Sequence, residues 1–292
     1  MDGILIVNKE KGYTSHDVVG KLRKILGIKQ IGHTGTLDPN ATGVLPILIG
    51  KATKASQYLI EHDKRYIATL KLGERTNTLD GEGEIVEKQT IEESLLDKNK
   101  IDAVLQTFLG KQEQIPPMYS AIKIKGKKLY EYAKQGKEIK REPRSIEIYE
   151  ILLKKVNKEK KEIIFEVHCS KGTYIRVLCE DIAKKIGTIG YMEELERTEV
   201  TPFTIKQALT LQQIEQQKEN IKKYLISIEK IFEQKRKIQL DEKKQILFLN
   251  GTQLTFLLDN DIYRIYSKEK FIGIGKIENH LLKRDIILES VK

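Results

Sequence analysis

Cysteine is nearly absent: Cys169 and Cys179 are the only two in 292 residues, and they fall in different expected elements. That excludes a disulfide framework and a zinc-ligand pattern, and it suits a reducing compartment. Both read as small buried hydrophobes. Long apolar runs are also missing. Nothing approaches the roughly 18 residues that a spanning helix needs. The N-terminal MDGILIVNKEKG has an acid at position 2 and an apolar run of only four, far short of a secretory core. The expected location is therefore the cytoplasm. Phosphate-loop patterns fail as well. Gly50-Lys51 has Leu45 where a glycine is required and Ala52 where Ser or Thr is required, and GIGK at 273–276 fails likewise. The five histidines are scattered and suggest no metal cluster. No internal repeat is visible.

What is present is charge and patterning. Lys and Arg total 52 against 42 Asp and Glu, a net +10, which favours a polyanionic partner, most often nucleic acid. The length suits one large domain, or a large and a small one. It lets the chain bury roughly 75% of its unfolded surface without staples.

GILIVNK reads as a strand, and TSHDVVGKLRKILG as a helix with Val18, Leu22, Ile25 and Leu26 on one stripe. Thr14 or Ser15 would cap it and Gly27 would stop it. VLPILIGKATKASQYLI leads into a further helix. RYIATLKLG alternates with period two, placing Tyr66, Ala68, Leu70 and Leu72 on one face, and LDGEG at 79–83 is its expected turn. Helical spacing returns at 101–109. MYSAIKIKG reads as a strand, KLYEYAKQG as a short helix, residues 145–172 as a long hairpin around NKEK, and TYIRVLCEDIAKKIG as a helix. The order is mixed, so the expected class is α+β with substantial antiparallel sheet. From Leu211 to about Arg236, Ile214, Ile221, Leu225 and Ile228 form a stripe that predicts one connecting helix. Beyond it QILFLNG, YRIYSKEKFIGIGKI and RDIILE predict short strands or turns of an independent β module. The boundary is placed at residues 1–234 and 235–292.

One loop stands apart. GHTGTLDPNATGVLP (32–46) surrounds a single carboxylate, Asp38, with Gly32, Gly35, Pro39 and Gly43. Pro39 biases Asp38 away from helix, and the glycines permit positive φ or close approach. His33, Thr34, Thr36 and Thr42 add polar side chains. A lone loop aspartate is commonly a turn residue. A cationic partner that keeps it ionised would make it a nucleophile or base. CSKGTYIR offers one: a basic turn with Lys171 delivers Tyr174 and Arg176 to a helix start. Arg176 suits a bidentate clamp on a carboxylate, but it could equally pair with Glu180. In KRYIATLKLGERTNTLDGEG, Tyr66 could stack on a base or fill the core, and Asp80 reads most simply as a turn residue.

These segments, with PPMYSAIKIKGKKLYEYAKQG, occur in the order and spacing of the TruB family, the tRNA pseudouridine synthases that modify uridine 55 in the T arm. The chain resembles that family over most of its length. The resemblance implies a mixed, mainly antiparallel sheet with flanking helices, crossed by the active cleft, and a C-terminal PUA-like RNA-binding domain. It makes Asp38 the nucleophile, Tyr66 the ring that stacks on the uracil and assists proton transfer, and Arg176 the ion-pair partner of Asp38. His33 would fill the space left by the extruded base. Lys9, Thr36, Asp80, Lys171 and Tyr174 are the further expected RNA contacts. The partner would be the T stem-loop of tRNA, met by a monomer. The isomerisation moves no electrons out of the substrate, so no cofactor or metal is expected. Attack at C1′, addition at C6 and a glycal route all remain open. One departure is Glu10, which stands where the family usually has proline and bears on the turn after Lys9.

Three rival readings are a non-catalytic RNA-binding or RNA-folding protein, a guide-RNA-dependent relative working in a complex, and a glycosidase. The last needs a second acid near Asp38, for which Asp80 is the candidate.

Overall fold

The computed structural model describes residues 1–60, 62–124 and 126–288. Lys125 and Glu289, which fall in two of the expected strands, lie outside the described residues. The main sheet contains β1 (Gly3–Lys9), β2 (Ile31–His33), β3 (Thr42–Ile49), β4 (Lys64–Leu72), β5 (Gly110–Gln114), β6 (Arg144–Asn157), β7 (Glu162–Cys169), β8 (Gly190–Val200) and β9 (Phe203–Thr204). Its order is β1-β3-β8-β4-β7-β6-β5, with β2 beside β3 and β9 beside β8. β3 and β8 run parallel and the other pairs are antiparallel. The class is α+β, as the sequence led us to expect.

Alternation explains which faces are covered. β7 buries every second residue (Ile163, Phe165, Val167 and Cys169) and leaves the rest half-exposed, as in a sheet solvated on one side. β1 and β3 instead bury nearly everything. Leu5, Val7, Leu45, Ile47 and Ile49 face the main core beneath two helices, α1 (Ser15–Leu26) and α2 (Ile175–Ile186). Ile4, Ile6, Val44 and Leu48 face a second cluster. α1 starts where Thr14 accepts from the Asp17 backbone while the Asp17 carboxylate accepts from Thr14 N–H, a reciprocal cap.

A five-stranded sheet begins at Lys237. It is not independent of the first: Ile274 and Ile286 belong to the same cluster as Ile4, Ile6 and Phe203. QILFLNG, expected as strand or turn, lies in a helix, Glu242–Asn250. Asp241 accepts from Lys244 N–H at its start, and Gly251 closes it at φ +92. Those end signals outweigh a short apolar run that fits either state.

The connecting helix expected after Leu211 is also broken. It divides into α-helix Leu211–Gln216, a 3₁₀ segment Lys218–Tyr224 and a short helix Ile228–Ile231. Ile226 exchanges both backbone hydrogen bonds with Ile4 at the edge of β1, so its N–H and C=O go to the sheet. The apolar stripe is still used, with Ile214, Ile221 and Ile228 buried. MYSAIKIKG likewise contributes only Lys123–Ile124 to a two-residue ladder with Lys127–Lys128. Among the described residues no helix is long and apolar enough to cross a membrane.

Candidate active site

The loop between β2 and β3 is pinned from several sides. Leu37 and Ala41 are buried in the main core. Leu37 N–H donates to Ser15 Oγ at 3.0 Å, Gly12 N–H to the Pro39 carbonyl at 2.9 Å, and Thr34 N–H to the Pro46 carbonyl at 3.1 Å. Lys9 Nζ donates to the carbonyls of Glu10, Tyr13 and Pro39 at 3.0, 2.7 and 2.9 Å. Lys9 is fully buried, and burial pulls its ammonium down to about 8 while Asp38 and Glu82 oppose the shift. The expectation that Lys9 contacts RNA is therefore corrected: its charge is spent on carbonyls that hold the loop. Glu10 does not loosen that turn, since its own carbonyl is one of the three.

Held in this way, Asp38 lines a cleft of about 530 Å³ with Tyr66, Ser120, Tyr174, Arg176 and Arg197 around it. Asp38 Oδ2 lies 3.2 Å from Arg176 Nε. Arg176 Nη1 donates to Asp80 Oδ2 at 3.0 Å and to the Thr78 carbonyl at 3.3 Å, and Nη2 donates to the Tyr119 carbonyl at 2.7 Å. Its fork is thus oriented by two carboxylates and two carbonyls, while Glu180 pairs with Lys184 instead. The Arg176 side chain is 7% exposed and that of Asp38 is 40% exposed, so Asp38 opens onto the cleft while its partner stays largely covered. Burial pushes the Asp38 carboxyl above its ordinary range; Asp80 adds to this, and Arg176, Lys9 and Arg197 oppose it.

Asp80 occupies the expected turn but does more than turn the chain. It is 6% exposed, accepts from Thr78 Oγ1 and Glu82 N–H, and braces Arg176. Buried and engaged, it is not a second, free acid of the glycosidase kind, and it does not offer itself to RNA. The preceding Leu79 adopts φ +63, a left-handed conformation that a branched residue takes only when held. Its carbonyl and the flanking Gly81 N–H both pair with Met192.

Tyr66 is 9% exposed and lines the cleft. Burial pushes its phenol up to about 12, against the nearby Arg197 cation. It therefore presents a neutral ring. Gln114 clamps the Tyr174 backbone, donating to its carbonyl at 3.1 Å and accepting from its N–H at 2.8 Å. Thr36 and Lys171 lie on the cleft rim. His33 is not among the cleft residues. It packs edge-on against His16, with ring centroids 5.3 Å apart, and burial lowers it to about 4, so it is neutral at pH 7. Among the described residues no group of three or more His, Cys, Asp or Glu is placed to hold a metal.

Residues 23–175 match the model of the TruB family pseudouridylate synthase N-terminal domain, and residues 176–233 that of the tRNA pseudouridylate synthase B C-terminal domain. The chain belongs to the TruB family. It is 44% identical to tRNA pseudouridine synthase B of Caldanaerobacter subterraneus subsp. tengcongensis over 97% of this chain and 98% of that one. It is 45% identical to the Clostridium tetani protein of the same name, over 94% and 96%. As a TruB-family member it is a pseudouridine synthase. In fold it is similar to a chain in a crystal structure of a Cbf5–Nop10–Gar1 complex, with TM-score 0.73 and 24% identity over 99% of this chain and 85% of that one.

Within this TruB-family site, several cleft residues carry no mark in the motifs. Arg197, Lys64, Ser120 and Arg144 all line it. The signal for two of them was alternation. Lys64 lies two before Tyr66 and Arg197 two after Leu195, so period two puts each on an inward face. Burial draws Lys64 down to about 8, with the Arg197 cation adding to the shift.

Proposed function

We propose that this protein isomerises uridine 55 in the T-arm loop of tRNAs to pseudouridine, with Asp38 as the nucleophile on a flipped-out uridine. The observation that carries the reading is the Asp38–Arg176–Asp80 chain, whose Asp38 and Arg176 line the same cleft as Tyr66. Burial pushes this carboxylate toward its neutral form, and a guanidinium that is itself braced opposes that shift and aims the carboxylate, as an activated nucleophile requires. The glycosidic C1′–N1 bond breaks, the ring turns, C1′ rejoins at C5, C5 gives up its proton to solvent and N1 takes one up. The product is an isomer of the substrate at the same oxidation level, so no cofactor enters.

Extruding the uridine costs a few kcal/mol, as an order of magnitude, which stacking and pocket hydrogen bonds repay. Tyr66 supplies the stacking face and Tyr174 a second polar wall. Thr36 and Lys171 on the rim contact the loop, and His33 fills the gap in the T loop. Residues 235–292 form a PUA-like module that holds the tRNA outside the cleft, on the catalytic unit of residues 1–234. The protein acts as a cytoplasmic monomer. The relatives named tRNA pseudouridine synthase B, alike over nearly the whole chain, support the tRNA substrate.

The test is tritium release from transcripts carrying [5-³H]uridine, for the parent and Asp38→Asn. One equivalent per tRNA from the parent and none from the variant is expected. A transcript with cytidine at position 55 should release nothing; full release from it would overturn the site assignment. Binding without release from any tRNA would favour the non-catalytic reading.

A further inference from the structure

Arg197 is 1% exposed, and among the described residues no carboxylate lies within ion-pairing distance of it. A buried cation without a paired anion is costly, so what the guanidinium holds is informative. Nε donates to the Val44 carbonyl and Nη2 to the Gly35 carbonyl, both at 2.8 Å. These two residues flank the loop that carries Asp38. On its other side Arg197 is the cross-strand neighbour of Tyr66, and both line the cleft. Strand register places Arg197 in one row with Gly43 and Tyr66: Arg197 on β8 lies opposite Gly43 on β3 and opposite Tyr66 on β4. The fit is close. A Cβ at Gly43 would fall 2.2 Å from the Arg197 carbonyl oxygen, and one at Gly35 would fall 3.4 Å from Nη1.

We infer that Arg197 is a positioning residue that ties both ends of the Asp38 loop to the hydroxyl of Tyr66, and so sets the nucleophile against the plane in which the uracil stacks. Asp38 lies on the loop that leads into β3 and Tyr66 lies on β4, and β8 runs between those two strands. A single side chain that spans both makes their separation a property of one guanidinium rather than of two loops. Misplacement of reacting groups by about 1 Å costs on the order of 10²-fold in rate, which sets the expected effect. The inference rests on the uridine-isomerising reading of the site.

The experiment is single-turnover tritium release with tRNA saturated by protein, alongside tRNA affinity by filter binding. The proteins are the parent, Arg197→Lys, Tyr66→Phe and the double variant. Lysine keeps the charge but has one nitrogen and cannot reach both carbonyls and the phenol together. Arg197→Lys should lose about 10²-fold in rate, with tRNA Kd within about threefold of the parent. Because both groups act through one contact, the double variant should be no slower than the slower single variant. A rate for Arg197→Lys within about threefold of the parent, a Kd that weakens in step with the rate, or full additivity in the double variant would overturn the inference. Should Arg197→Lys fail to fold by circular dichroism, Arg197→Gln decides. A loss of rate at unchanged Kd supports the tie, and a parent-like rate overturns it. A parent that releases no tritium sinks the functional reading and this inference together, whereas an active parent with an equally active Arg197→Lys sinks the inference alone.

Discussion

Two buried arginines flank the Asp38 loop, and they are held by opposite means. Arg176 is held by charge, with Asp38 on one edge of its fork and Asp80 on another. Arg197 is held by shape: its donors go to the Gly35 and Val44 carbonyls, and glycine at 43 leaves room for its strand. An ion pair transmits a change of protonation, and a carbonyl cradle transmits a change of position. Arg176 accordingly governs how readily Asp38 ionises, while Arg197 governs where the loop sits. Neither arginine could do the other's work by a lysine substitution, since both use more than one edge of the guanidinium.

The contrast is tested most severely by Arg176→Met. It leaves Asp38 and Asp80 without the cation between them, and breaking a buried pair costs about 3–5 kcal/mol. Urea unfolding measures this, and a loss below about 1 kcal/mol would show that another cation takes over. Next comes Gly43→Ala. Its Cβ would collide with the Arg197 backbone, and φ is +102, so about 2–3 kcal/mol should be lost with the rate falling alongside. A neutral alanine would mean that shape does not hold this strand.

Asp80→Asn separates the roles more gently. Asp80 is one of the groups that push the Asp38 carboxyl up, so without it the acid limb of the pH–rate profile should move to lower pH. A limb that stays in place would show that Asp38 ionisation does not set it. The smallest effect at neutral pH is expected outside both arginine sites, at His33. Its folded value of about 4 lies below the ordinary 6.5, so the unfolded chain takes up the proton first. Stability should therefore fall as pH drops from about 6.5 through about 4. His33→Asn should flatten that slope in melting temperatures measured at pH 7 and pH 5.

The charge-held half of the site was legible and the shape-held half was not. Asp38 announced itself through the glycines and Pro39 around it, and Arg176 through a basic turn at the start of a helix. Asp80 was readable only as a turn residue, because LDGEG satisfies a hairpin locally and nothing nearby in sequence says that an arginine 96 positions on will pair with it. Lys9 was misjudged for a related reason: a lysine at a strand end usually projects into water, and its burial depends on three carbonyls brought together by the fold. Arg197 left a weak trace, a charge at an inward position of an alternating strand, which is also what an edge or bulge would show.

The same division runs through the fold. Local patterning determined α1, β4, the β6–β7 hairpin and the helix that carries Arg176, because each has a period, a cap or a stop written in adjacent residues. It also determined that the chain is α+β and which loop stands out as the candidate site. Only tertiary structure decided that Ile226 leaves its helix to pair with Ile4, and that the last sheet shares a core with the first. It alone set Asp38, Tyr66, Arg176 and Arg197 around one cleft, with Asp80 behind Arg176. Backbone groups go to whichever partner the finished fold places within reach, and a buried charge is tolerated only where distant segments supply its donors and acceptors. Neither condition can be met by neighbours in sequence.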